Sequence, residues 1–306
     1  MKKYVIVATK GRPAQTRVLL DFLASQDARP DGVYIVGASE ADLPDVTSHR
    51  LLEFAPVRLL IAPAAGLTIQ RNFAIAALLE DAPGEDSGER WFASFFDDDF
   101  RPHAAWLLEC AALLDAHSQL AGMTGQILAD GVKRGGLSES DALPYLTGAQ
   151  GPDPHWASGA ERREVGCAYG CNMAFVDRVL RGCRFDEALP LYGWQEDYDF
   201  TSRARAFGAV VYEPSCLGVH LGVRSGRTSG VRFGYSQVAN PLYLARKQTM
   251  ERSRARRFIY RNLLSNLYHS LHQNALFDYR GRLKGNFLAL VDIPRGIIHP
   301  LRVLEL

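Results

Sequence analysis

Asp97, Asp98 and Asp99 follow directly on the apolar run Trp91–Phe96. Adjacent carboxylates repel one another and are costly to bury unpaired. A divalent cation removes that cost, and clustered acidic oxygens suit Mg²⁺ or Mn²⁺. A plainer alternative is a solvated acidic turn in which Asp99 caps a helix opening near Pro102. Three other segments carry residues capable of chemistry. Gly66–Asn72 holds Arg71, a cation suited to a diphosphate or to the acidic triplet. Trp194–Phe200 holds Glu196 and Asp197, which complement a helix dipole or supply a general base. Gly218–Gly222 holds His220, a packed residue or a metal ligand; a mixed set of histidine and carboxylates leans toward Mn²⁺.

The elements that position these groups are legible in the apolar pattern. Tyr4–Thr9 reads as a buried strand, Val33–Gly37 and Val57–Ile61 as the second and third strands, and Trp91–Phe96 as a strand buried on both faces. Helical spacing follows Pro13, runs over Leu67–Glu80 and spans about Pro102–His117. This alternation predicts an α/β fold with right-handed crossovers and a mostly parallel sheet. Ligands bind such sheets at the carboxyl ends of the strands, where the triplet would lie. The stretch from Ala129 to Gly166 reads as a long polar loop. Further on, Gly170–Val176 reads as a strand, Glu196–Phe207 as a helix closed by Gly208, and Val210–Glu213 and Leu217–His220 as two short strands. From about Tyr235 the chain reads as helical.

The chain has 306 residues, 47% of them hydrophobic, enough for a large core plus an appendage. A net charge of +1 gives no global electrostatic case for nucleic acid. Met1–Thr9 is too short for the apolar core of a signal sequence and is ended by Lys10-Gly11-Arg12, so export is not expected; no stretch reaches the roughly 18 uninterrupted apolar residues that span a bilayer. The five cysteines are irregularly spaced, so reduced thiols and a cytoplasmic location are expected.

Taken in order, the segments resemble family-two glycosyltransferases of the GT-A fold, inverting enzymes that use nucleotide sugars. The matching pieces are ATKGRP (Ala8–Pro13), GLTIQRN, FFDDDF with its trailing Arg101-Pro102, YGCNMAFVDR (Tyr169–Arg178), WQEDYDF and VHLG. The resemblance covers about residues 4–250 and extends more loosely into Val231–Lys247, where Gly234 and Ala239 depart from the pattern. It implies a catalytic domain over 1–230, with a nucleotide-binding half to about 127 and an acceptor half beyond, and a helical extension over 231–306. It implies that Thr9 and Arg12 cup the nucleobase and that Arg71 supports the nucleotide. Asp97 would contact its ribose or base side, and Asp98 would belong to the same group without a task of its own. Asp99 and His220 would hold Mn²⁺ or Mg²⁺. Asp197 would be the base, with Glu196 as second candidate. Asn172 and Trp194 would face the acceptor, a saccharide or lipid-linked saccharide. One departure bears on the donor. The family's acidic residue after the second strand is replaced by Gly37 and Ala38, with Glu40 nearby, so a UDP-sugar and a dTDP-sugar such as dTDP-rhamnose both remain open.

Two segments have paired readings. Gly222–Gly230 either closes over the diphosphate through Arg224 or Arg227, or is a surface hairpin. The basic tail, with arginines among aromatics and leucines, fits an interfacial helix on an anionic membrane. It equally fits a helix packed on the domain or at a homodimer seam, because Asn266, His269, His272, Gln273 and Asn274 interrupt its apolar face. Competing functions are a sugar-phosphate nucleotidyltransferase, which a single glycine in ATKGRPAQT supports poorly, and an inactive GT-A scaffold.

Overall fold

The computed structural model describes residues 1–223, 229–272 and 276–306. Nine strands form one sheet: β1 (Lys2–Ala8), β2 (Gly32–Gly37), β3 (Val57–Ile61), β4 (Trp91–Asp97), β5 (Phe100–Pro102), β6 (Gly122–Asp130), β7 (Arg163–Glu164), β8 (Asn172–Val176) and β9 (Val210–His220). The helices are α1 (Pro13–Ala24), α2 (Leu67–Asp81), α3 (Trp106–Ala116), α4 (Glu139–Leu146), α5 (Asp177–Gly182), α6 (Glu196–Ala204), α7 (Gly230–Arg246), α8 (Arg252–Leu271) and α9 (Tyr279–Asp292).

The sheet order is β3-β2-β1-β4-β8-β6-β9-β5, with β7 added on β9. The four strands expected from the apolar runs are parallel neighbours. Beyond them β8 runs antiparallel to both β4 and β6, and β9 is parallel to β6. Two reversals cancel, so β1, β4, β6 and β9 all point the same way. Their carboxyl ends present Thr9, Asp97–Asp99, Asp130 and His220 at one edge of the sheet.

Two compact units partition the chain. One comprises Met1–Ala65, Ile69–Arg184 and Ala204–Gly226; the other comprises Gly66–Thr68, Phe185–Arg203 and Arg227–Leu306. A single cut near residue 230 therefore does not reproduce the division, since Phe185–Arg203 clusters with the C-terminal helices. In the second unit α7 packs against α8 and α9 around Tyr235, Val238, Ala239 and Ala289. Gly234 is required there: a Cβ would collide with the backbone of Arg282 on α9. A buried amide chain closes the bundle, with Asn266 Nδ2 donating to Gln237 Oε1 and to Asn286 Oδ1, both at 2.7 Å.

Several expected elements differ in detail. The segment after Ala129 is not one loop. It carries α4, whose start is fixed by a capping box between Ser138 and Asp141. The strand β6 falls between the elements expected from the pattern. The two short strands after Gly208 are one strand, bulged so that Gly125 pairs with Glu213 and Gln126 with Leu217. The helix placed near Pro102 starts at Trp106, because Phe100–Pro102 pairs with β9 as a strand. Ala105 occupies its N-cap position, so Asp99 caps nothing. All five cysteines are free thiols.

Candidate active site

Strand register brings the acidic residues together. Ala8 pairs with Asp97, which sets Thr9 beside Asp98 one residue further on. Phe100 and Asp130 both pair with His220, one from each flanking strand. His220 is thereby placed between the acidic turn and the end of β6. A tight turn follows at Gly222, where φ is +66° and a Cβ would strike the backbone of Gly131 and Val132. That turn aims the Val223 N–H at Asp99 Oδ2, 2.7 Å away.

The triplet divides by side. Asp98 turns to the first strand: its Oδ2 accepts from Thr9 Oγ1 at 2.8 Å and its Oδ1 from Arg12 Nη1 at 2.8 Å. Asp97 and Asp99 turn to His220. Ligand atoms of Asp97, Asp99 and His220 all lie within 4.8 Å of one another. His220 Nε2 is 3.3 Å from Asp99 Oδ1 and 4.0 Å from Asp97 Oδ2. Asp99 Oδ1 is buried and receives no hydrogen bond from the described residues. A buried carboxylate oxygen without a donor, facing a second carboxylate and an imidazole, fits a divalent cation; the donor set of oxygens plus one nitrogen suits Mn²⁺ or Mg²⁺.

The charges are strongly coupled. Burial pushes Asp98 up to about 7; Asp99 adds to this and Arg12 opposes it. Burial also acts to raise Asp99, yet His220, Arg12 and the Val223 N–H outweigh it and hold Asp99 below the ordinary carboxylate range. Burial lowers His220, but Asp99 and Asp130 together lift it well above its usual value.

Arg71 is buried. Its Nη2 donates to Gly170 O at 2.7 Å and to Asp97 Oδ1 at 3.2 Å. The contact with Asp97 is one of the two pairings expected for it. Neighbouring Gln70 ties β1 to β2, donating to Thr9 O at 2.8 Å and Val36 O at 2.7 Å. Arg12 also reaches Asp99 Oδ2 at 3.4 Å. Arg224 and Arg227 lie outside the described residues, so the reading of 222–230 as a closing loop does too.

In the second unit, Gly193 and Gln195 adopt positive φ and lead into α6. Glu196 opens that helix and is buried, whereas Asp197 is partly exposed and accepts from the Tyr198 N–H at 2.7 Å. Asp199 is fully buried, bonded to Arg203 and Lys247 through Oδ2 and to Thr249 through Oδ1. Trp194 is half-buried, edge-on to Phe233 and Phe258, and its carbonyl accepts from Asn240 at 2.8 Å.

Structural comparison separates fold from sequence. No protein-family model matches the sequence, and no curated protein matches it. Among solved structures, a mannosyltransferase from Pyrobaculum calidifontis in complex with GDP-Man and Mn²⁺ is similar with a TM-score of 0.53 and 13% identity, over 97% of this chain and 87% of that one. S. aureus TarS is similar with a TM-score of 0.53 and 18% identity, over 88% of this chain. A shorter TarS, 1–349, in complex with UDP gives a TM-score of 0.50 and 19% identity, over 80% and 66% of the two chains. The chain spans only 44% of the full TarS structure. The fold is that of the GT-A glycosyltransferases.

Within this GT-A fold some expected site residues take other positions. Asn172 is fully buried, its Oδ1 accepting from Trp106 Nε1 at 2.8 Å; it faces the core and not a cleft. Glu40, the stand-in for the missing acid after β2, is exposed. Asp42 is the buried carboxylate of that loop, and it is engaged by the N–H groups of Gly11, Ala38 and Ser39. Asp97 joins the metal-competent group in addition to any nucleotide contact.

Other residues at this edge of the sheet escape a reading of the sequence. Asp130 Oδ1 lies 3.2 Å from His220 Nδ1, and its Oδ2 accepts from Tyr169 Oη at 2.9 Å and faces His155 Nε2 at 3.4 Å. Asp130 is held below the ordinary carboxylate range; burial opposes this, and His155 and His220 overcome it. The signal was present. Ile127-Leu128-Ala129-Asp130 repeats in miniature the pattern of an apolar strand ending in aspartate.

Proposed function

We propose that the chain is a metal-dependent inverting glycosyltransferase acting on a saccharide or lipid-linked saccharide hydroxyl in polysaccharide synthesis. The observation that carries this reading is the convergence of Asp97, Asp99 and His220 at the carboxyl ends of β4 and β9, on a GT-A fold. Asp97, Asp99 and His220 are the residues that would hold Mn²⁺ or Mg²⁺. A cation there supplies counter-charge to a departing diphosphate.

The chain's own groups perform the remaining work. Arg71 fixes the orientation of Asp97, and Thr9 and Arg12 fix Asp98, so the acidic turn is pre-organised before donor arrives. Asp197 accepts the proton of the acceptor hydroxyl as its oxygen bonds to the anomeric carbon. The bond from that carbon to the phosphate oxygen breaks, and the nucleoside diphosphate leaves with the electron pair. Attack from the face opposite the leaving group inverts the anomeric centre, by the logic of inverting sugar hydrolysis. Glu196 is the alternative base, Trp194 the acceptor-side aromatic, and the donor a UDP- or dTDP-sugar.

The test is a panel of UDP-, dTDP- and GDP-sugars incubated with the protein and Mn²⁺. The reading predicts donor turnover with one of them and a product anomer opposite in configuration to the donor, read by NMR. A retained anomer rules out the inverting scheme.

A further inference from the structure

The outer surface of α8 and α9 is apolar and cationic at once. On α8, Tyr260, Leu264, Leu267, Tyr268 and Leu271 recur at helical spacing and are between 46% and 72% exposed. Arg256 and Arg257 stand one turn before Tyr260 on the same face, and Arg261 flanks it. The helix contains no acidic residue. On α9, Arg280, Lys284, Phe287 and Leu290 repeat the arrangement, with Phe287 65% exposed. A groove of about 690 Å³ runs between the helices, lined by Leu263, Leu271, Leu283 and Phe287 together with Arg280 and Lys284.

Of the polar residues that interrupt the tail in sequence, three lie among the described residues. Asn266 points inward to Gln237 and Asn286. His269 stacks on Tyr279 at 4.6 Å, and His272 stacks on Tyr268 at 4.0 Å. Gln273 and Asn274 lie outside the described residues.

We propose that this face seats on an anionic phospholipid bilayer, with its leucines and aromatics entering the boundary between headgroups and acyl chains and its arginines among the lipid phosphates. Charge complementarity selects this occupant. A two-fold contact with a second copy would set the same cationic residues against themselves and desolvate them. No helix among the described residues is long and apolar enough to cross the bilayer, so the contact is peripheral. The inference goes beyond the proposed reaction and does not depend on it.

Flotation of the full chain with vesicles tests it, without nucleotide or metal. Vesicles of phosphatidylcholine mixed with phosphatidylglycerol should carry the protein up at low salt, and pure phosphatidylcholine should not. Combining Arg256→Ala, Arg257→Ala and Arg261→Ala should weaken partitioning roughly 100-fold. Leu271→Ser with Phe287→Ser should weaken it as well. Unchanged circular dichroism and melting temperature show that the variants fold. Absence of flotation with the anionic vesicles overturns the proposal, as does equal binding to both vesicle types or wild-type binding by the arginine variant. A stable dimer that Leu271→Ser dissociates assigns the face to a second copy instead.

Discussion

His220 Nδ1 lies 3.2 Å from Asp130 Oδ1, so the imidazole that faces Asp99 on one side is braced by a second carboxylate on the other. The brace comes from register, since Asp130 and His220 are paired across β6 and β9. A histidine held by a carboxylate through one nitrogen presents the other nitrogen in a fixed direction. Asp130→Asn keeps the shape and removes the charge. It should weaken Mn²⁺ binding by about 10- to 100-fold, measured by titration calorimetry with UDP present. Unchanged affinity would reduce Asp130 to a packing residue.

Asp98 and its neighbours separate stability from metal binding. Asp98 serves Thr9 and Arg12, and Arg12 is itself largely buried. Asp98→Ala leaves that guanidinium short of its partner and should cost about 3 kcal/mol, read from denaturant unfolding. Asp99→Asn acts differently: it removes a cation ligand and should abolish metal-dependent nucleotide binding. An Asp98 variant that loses metal but not stability would contradict the division.

Asp197 and Asp199, two residues apart, should behave oppositely. Asp199 is spent on Arg203, Lys247 and Thr249, so Asp199→Asn should lower the melting temperature. Asp197→Asn should leave stability and nucleotide affinity intact and reduce turnover by about 10²- to 10⁴-fold. Full turnover in Asp197→Asn together with loss in Glu196→Gln would move the base to Glu196.

Acid sensitivity should arise in part from Asp186. Burial acts to raise its pKa, but Lys247 at 2.5 Å, the Ala188 N–H and Tyr243 outweigh it and hold Asp186 below the usual range. A carboxyl with a depressed folded value stabilises above its unfolded value, and that stability is lost as pH falls through the folded one. Asp186→Asn should therefore lower stability by about 2 kcal/mol at neutral pH, with the difference vanishing in acid. Unfolding curves across pH for the two proteins check this; a difference that grows in acid would contradict it.

The order Arg71, Asp97–Asp99, Asp197, His220 is legible in the chain because each residue ends a strand or opens a helix with a clear apolar pattern. Asp130 ends the short apolar run Ile127–Ala129, but Gly122 and Gly125 dilute the rest of the β6 pattern and its partner is set by a bulged pairing with β9. Asn172 misleads for a related reason. Its neighbours match the GT-A pattern, yet only the sheet order shows it between β4 and β6, bonded to Trp106. The tail was ambiguous because helical sequence alone does not say which face Asn266 occupies.

The central claim is that Asp97, Asp99 and His220 bind a nucleoside diphosphate through a divalent cation. Thermal shift with UDP, dTDP and GDP, each with and without Mn²⁺, measures it directly. The account predicts that one nucleotide raises the melting temperature only when Mn²⁺ is present, and that His220→Ala abolishes the rise. No Mn²⁺-dependent stabilisation by any of the three, or a rise that survives His220→Ala undiminished, would contradict it.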